Sequence, residues 1–144
     1  FAGIINNANR SITMALMTWT AEQYGTHVAV ADDQHKELFR MLNSLHNTAG
    51  TGNRAAIGQE LDALIAYVVM HFQTEEKLMT EKGYPDFAAH KAEHDKLVTT
   101  CAGLQKAFHA GEVEVTQDTT RFVRDWLNGH IPHSDMPYGP CLNG

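Results

Sequence analysis

Histidine is the outlier of this sequence, with nine among 144 residues. Two spacings give that excess a chemical meaning. His71 and Glu75 lie four residues apart, and so do His90 and His94. On an α-helix, residues four apart share a face. His71 and Glu75 continue the apolar stripe of Leu64 and Val68, and His90 and His94 run into Leu97, Leu104 and Phe108. Both pairs therefore point into a core. A buried, ionised glutamate costs several kcal/mol unless it is paired or bound to metal. No lysine or arginine shares that stripe, so a metal ion is the natural partner.

Two more histidines face inward by the same reasoning. His35 stands three residues before Leu38 and four before Phe39, and His130 lies on the face of Val123, Trp126 and Leu127. Asp135 follows His130 by five residues. On a straight helix that step turns the side chain about 140° away. Pro132 lies between them; it has no N–H for the carbonyl of Asn128, and its ring crowds that carbonyl. The helix is thus expected to kink or unwind there and to swing Asp135 back toward His130.

One inward histidine is commonly just a satisfied core residue. Five of them with two inward carboxylates have no such account. His27, His46, His109 and His133 lack a matching partner in the pattern and are expected on the surface or in loops. Glu76 points about 100° away from Glu75, so it belongs in solvent or behind the ligands. Five imidazoles and two carboxylates without thiolates suit iron, zinc, copper or nickel better than magnesium or calcium. Seven ligands exceed the needs of one tetrahedral zinc. They suit two six-coordinate ions with shared carboxylates and a position left open.

Helices must position these groups. The apolar spacing predicts four, over about 32–47, 54–82, 85–110 and from about 116 through Ile131. The fourth carries Phe122, Val123, Trp126, Leu127 and Ile131 as its apolar stripe. Asp32 and Asp33 suit a helix start, and Gly83 and Gly111 suit helix ends. Pro85 is expected in the first turn of the third helix. Nothing alternates with period two, so the class is all-α. Short connections favour an up-down-up-down four-helix bundle. Residues 17–144 form that domain. Residues 1–16, with Ile4, Ile5, Ala8 and Ile12 at helical spacing, read as a short helical or extended lead-in from an upstream region. Pro132 and the stretch Pro137-Tyr138-Gly139-Pro140 are expected to loosen the end of the fourth helix.

Composition narrows the function. Hydrophobic residues make up 43% and charged ones 19%, the balance of a globular domain. The net charge of -6 argues against nucleic acid. No apolar run approaches the ~18 residues of a membrane span. Cys101 and Cys141 have no zinc-site spacing and read as free thiols of a reducing compartment, so the expected location is cytoplasmic.

The motifs taken together resemble the bacterial hemerythrin family. They are Asp32-Asp33-Gln34-His35-Lys36, His71-Phe72-Gln73-Thr74-Glu75-Glu76, His90-Lys91-Ala92-Glu93-His94 and Trp126-Leu127-Asn128-Gly129-His130-Ile131, closing at Asp135. The resemblance runs from about Thr18 to Tyr138. It implies two irons with an oxo or hydroxo bridge. One iron would take His90, His94 and His130; the other would take His35 and His71 and keep an open position. Glu75 and Asp135 would bridge the two. Dioxygen would bind reversibly at the open iron, in a pocket walled by Phe72, Trp126, Leu127 and Ile131. Nitric oxide and small anions are further candidates for that position.

The resemblance is closest to the hemerythrin-like domain that ends a bacterial methyl-accepting chemotaxis receptor. A start at Phe1 and a helical lead-in fit a domain cut from such a protein. The leading expectation is therefore an oxygen or redox sensor, joined through its N-terminus to a membrane-anchored receptor. The alternative is a free-standing oxygen carrier or store. A diiron oxidase or peroxidase ranks third, because oxygenase-type bundles use more carboxylates, with Glu-x-x-His pairs. A binding protein, not an enzyme, is expected.

Overall fold

The computed structural model describes residues 15–143. Residues 1–14, which hold most of the expected lead-in helix, lie outside the described residues. Four long helices carry the fold. They are α2 (Ala29–Ala49), α3 (Arg54–Glu81), α4 (Phe87–His109) and α5 (Gln117–His130), preceded by a single turn, α1 (Ala21–Tyr24). A π-helical turn follows at Ile131–Asp135, then a 3₁₀ turn at Met136–Tyr138 and a short α6 at Gly139–Asn143. No strand occurs among the described residues. α3 packs against both α2 and α4, and α5 returns to α2. With short connections this is the up-down-up-down four-helix bundle.

The helices form where apolar spacing and end signals agree. Along α2 the buried face is Ala31, His35, Leu38, Phe39, Leu42 and Leu45. Burying one leucine or phenylalanine in such a face contributes about 1.5–3 kcal/mol. The Asn53 side chain accepts the Ala56 N–H at 3.2 Å and starts α3. Gly83 follows its end with φ of 65°, in the left-handed region that a glycine enters without strain. Thr116 and Thr119 cap α5 reciprocally.

Two ends differ from expectation. α2 begins at Ala29, three residues before Asp32. Asp32 thus stands in the first turn, as expected of a carboxylate, and also accepts the N–H and O–H of Thr26 at 2.9 and 2.8 Å, which ties the preceding loop to the helix. α4 begins at Phe87, and Pro85 lies in the turn ahead of it. Phe122 is also not inward: it is 52% exposed, whereas Leu127 is buried. The helical stripe of α5 is too narrow to bury both Phe122 and its neighbour Val123.

Two apolar clusters flank the middle of the bundle. The larger includes Leu38, Leu42, Leu45, Leu61, Leu64 and Leu97. The smaller joins Val28, Ala31, Met79, Tyr138 and Leu142. The second cluster overturns the expectation of a loose C-terminal stretch. Tyr138 and Gly139 are buried, and so is Leu142. A Cβ on Gly139 would collide with the carbonyl oxygen of Thr26, so the chain closes tightly only because residue 139 is glycine. The N-terminal side is pinned too. Met17 and the Asn43 amide exchange two hydrogen bonds, each of 2.8 Å. The Tyr24 hydroxyl donates to Asn128 Oδ1 at 2.5 Å.

Candidate metal centre

Each of the four long helices contributes side chains to one buried chamber. α2 gives His35, α3 gives His71 and Glu75, α4 gives His90 and His94, and α5 gives His130. Asp135 comes from the π turn. All seven are buried. The π turn explains how Asp135 arrives. The N–H of Met136 donates to the carbonyl of Ile131, five residues back. Such i→i+5 bonding widens the turn, so five residues overshoot one full turn by much less than on an α-helix. Pro132 favours it, because an α-helical bond from residue 132 to Asn128 is impossible. The expected unwinding is present, and His130 Nε2 lies 3.0 Å from Asp135 Oδ1.

The ligand atoms fall into two groups. One joins Glu75, His90, His94, His130 and Asp135; the other joins His35, His71, Glu75 and Asp135. Within each group the candidate atoms lie within 4.8 Å of one another. Glu75 and Asp135 belong to both. His90 Nε2 approaches Asp135 Oδ1 at 2.9 Å, and His35 Nε2 approaches Asp135 Oδ2 at 3.0 Å. His71 and His94 approach Glu75 Oε1 at 3.4 and 3.2 Å.

These contacts are short, yet they are not all hydrogen bonds. His35 Nε2, His90 Nε2, Glu75 Oε1 and both oxygens of Asp135 are buried without a hydrogen-bond partner. Buried polar atoms are normally satisfied, because an orphan costs about 1–3 kcal/mol. Here these donors and acceptors crowd a shared space, and the five named atoms do not pair across it. Cations seated in that space would satisfy all of them, so the residues fit a pair of metal ions. Five imidazoles and two carboxylates form a donor set suited to iron. The cluster could bind a diiron centre.

The protein's own charges point the same way. Burial and the neighbouring Asp135 push Glu75 up, but His71, His35 and His94 outweigh both and hold its carboxyl below the usual range. Asp135 is likewise held well below its ordinary value, because His130, His35 and His90 outweigh burial. Burial lowers His35, yet Asp135 and Glu75 outweigh it and raise the imidazole to about 10. Burial dominates at His71 and lowers it to about 4. The two buried carboxylates thus favour positive charge in the chamber, which a bound cation would supply.

A second layer orients the ligands. His71 Nδ1 pairs with Gln34 Oε1 at 2.7 Å, and His94 Nδ1 with Glu76 Oε2 at 2.9 Å. His130 Nδ1 pairs with Glu93 Oε1 at 3.1 Å, and the Ser134 hydroxyl donates to the same carboxylate at 2.8 Å. The Tyr138 hydroxyl donates to Glu75 Oε2. The ring of Phe72 stacks on His94 with centroids 3.8 Å apart, and that of Trp126 stacks on His130 at 4.2 Å. Phe72, Leu127 and Ile131 are buried, whereas Trp126 is partly exposed.

Sequence reasoning missed Gln34, Glu93, Ser134 and Tyr138. Gln34 and Glu93 neighbour ligands in sequence, which is a weak signal, and Tyr138 gave none. Glu76 stands behind a ligand, one of its two expected places. Of the histidines set aside, His46 and His109 do have partners, Thr120 at 2.6 Å and Asp62 at 2.7 Å. Neither reaches the chamber.

Known proteins match this arrangement. Residues 26–142 match the family described as the hemerythrin HHE cation binding domain. A bacteriohemerythrin of Methylococcus capsulatus is 71% identical over 130 residues, covering 90% of this chain and 99% of that protein. A bacteriohemerythrin of Stenotrophomonas maltophilia is 36% identical over 125 residues, covering 87% of this chain and 80% of its own. A crystal structure of a wild-type hemerythrin superposes with a TM-score of 0.90 at 70% identity, covering 90% of this chain and all of that one. With the fold, the chamber and these relatives in agreement, the chain belongs to the hemerythrin family.

Proposed function

We propose that this protein binds dioxygen reversibly at a diiron centre and works as a free-standing bacteriohemerythrin, an oxygen carrier or store. In this reading His90, His94 and His130 hold one iron and His35 and His71 the other, with Glu75 and Asp135 shared. The observation that carries the reading is the unequal division of ligands. One group offers five residues and the other four, with both carboxylates in common. Two six-coordinate ions held there would be unequally supplied by the chain, and the position to spare would lie on the His35 and His71 side. Two ferrous ions supply the electrons for reversible dioxygen binding.

The chain's own residues do the rest. Gln34, Glu76 and Glu93 fix the ring orientation of His71, His94 and His130. Tyr138 holds one oxygen of Glu75. Phe72, Trp126, Leu127 and Ile131 wall the pocket and keep water from it. The imidazole-rich set favours binding over the oxygen activation of carboxylate-rich bundles, so we read a binding protein, not an enzyme. Dioxygen is the partner; nitric oxide and small anions compete for the same position.

The receptor-sensor expectation has less behind it. The Methylococcus capsulatus relative is matched over 99% of its own length. No helix among the described residues is long and apolar enough to cross a membrane. Cys101 and Cys141 are free, which supports a reducing, cytoplasmic setting. The test is optical. The reduced, iron-loaded protein should be nearly colourless and gain a charge-transfer band in air that disappears when oxygen is removed. A band that never forms, or one that cannot be reversed, contradicts a carrier.

A further inference from the structure

The far half of the bundle axis contains a cavity of about 30 Å³ that is largely closed off from solvent. Every long helix contributes to its wall. α2 gives Leu45, α3 gives Leu61, Leu64, Ile65 and Val68, α4 gives Leu97, Cys101 and Leu104, and α5 gives Thr119, Thr120 and Val123. The exposed lining is wholly apolar. Even its threonines turn their hydroxyls elsewhere. Thr120 Oγ1 is taken by His46 Nδ1 and by the carbonyl of Gln117, and Thr119 Oγ1 accepts the N–H of Thr116.

Size and polarity together select an occupant. One water needs about 10–15 Å³ measured this way, so the space suffices, but a buried water also needs polar partners. None faces the cavity. Dry apolar cavities bind small apolar molecules and noble gases instead.

Its place in the fold gives the occupant a destination. Val68 lies three residues before His71 and Leu97 three residues after His94. At about 1.5 Å per residue, the near wall is about one helical turn from the ligand layer. Leu61 and Leu104 are ten residues from the same ligands, so the far wall is about 15 Å away. Cys101 and Leu104 on α4, and Thr119 and Val123 on α5, are each partly exposed. α4 and α5 also approach each other sparingly, whereas α3 packs on α4 and α2 on α5. The thinnest wall is therefore the α4–α5 seam.

We propose that this cavity binds one small apolar gas molecule, dioxygen in the working protein, which enters through the α4–α5 seam and passes on to the metal centre. The delivery role rests on the dioxygen reading above; the gas site itself does not. Xenon is the probe. Crystals of the iron-loaded protein under xenon pressure should show one xenon bounded by Leu64, Leu97 and Val123. Cys101→Leu, which adds carbon to the wall, should abolish that peak. It should also slow dioxygen association several-fold, with dissociation slowed in proportion and affinity kept. Leu64→Ala should raise xenon occupancy and speed association, and it carries the test if Cys101→Leu does not fold. The proposal is overturned if xenon is absent from the cavity or an ordered water stands there. It is also overturned if both variants bind dioxygen at the parent rate. If xenon binds but the reduced protein takes up no dioxygen, the gas site stands and the delivery role is overturned together with the oxygen reading.

Discussion

Each ligand imidazole has a second nitrogen, and the group that holds that nitrogen decides how firmly the first is aimed. His71, His94 and His130 are held by Gln34, Glu76 and Glu93. Two of the three partners are carboxylates, which make the imidazole a stronger donor; Gln34 is neutral. The α3 imidazole on the proposed open side, His71, thus has the neutral partner, while His35 Nδ1 has none. Gln34→Ala removes the brace on His71 without touching a ligand. We expect metal affinity on that side to fall roughly 10–100-fold, read by competition with a chelator. An unchanged affinity would mean that packing alone fixes His71. At this scale the sequence is highly legible. Residues predicted to face the core at i and i+4 do so, because helical periodicity and burial cost work together. The supporting residues are not legible. Gln34 and Glu93 meet their imidazoles across helix boundaries, and Tyr138 reaches Glu75 across 63 positions of chain.

The element that matters most is the turn after α5. A proline inside a helix usually costs about 3 kcal/mol or more. Here that disruption creates the i→i+5 turn that brings Asp135 beside His130. Pro132→Ala restores an N–H able to bond Asn128, so an ordinary helix can compete with the π turn. We predict weaker iron retention in dialysis against a chelator, with helix content by circular dichroism unchanged or slightly raised. Full retention would show that tertiary contacts alone hold Asp135 in place. The kink is legible from Pro132, but the burial of Tyr138, Gly139 and Leu142 is not. Pro137 and Gly139 read locally as breakers. Yet Gly139 closes against the Thr26 loop, and Tyr138 and Leu142 cluster with Met79, distant segments with no local trace of the contact. The start of α2 is legible in part: Asp32 stands in its first turn, but its bonds to the Thr26 loop leave no local trace.

At the scale of the whole molecule, the bundle is two apolar clusters with a polar layer between them. That layer holds seven buried candidate ligand side chains, several with unpartnered atoms. Without cations the layer keeps those unpartnered atoms buried; cations held there would link all four long helices. Metal bound there would therefore add to the folding free energy. Removing iron by chelation should lower the melting temperature by about 10 °C or more. Re-addition of ferrous iron should restore it. Equal melting temperatures would mean the apolar clusters alone carry the fold. Whether two irons share Glu75 and Asp135 is decided by anomalous diffraction at the iron edge, from crystals of the iron-loaded protein. Two iron peaks per chain are expected, one against His90, His94 and His130 and the other against His35 and His71, with both carboxylates between them. A single peak, or iron bound away from these seven residues, would contradict a shared diiron centre.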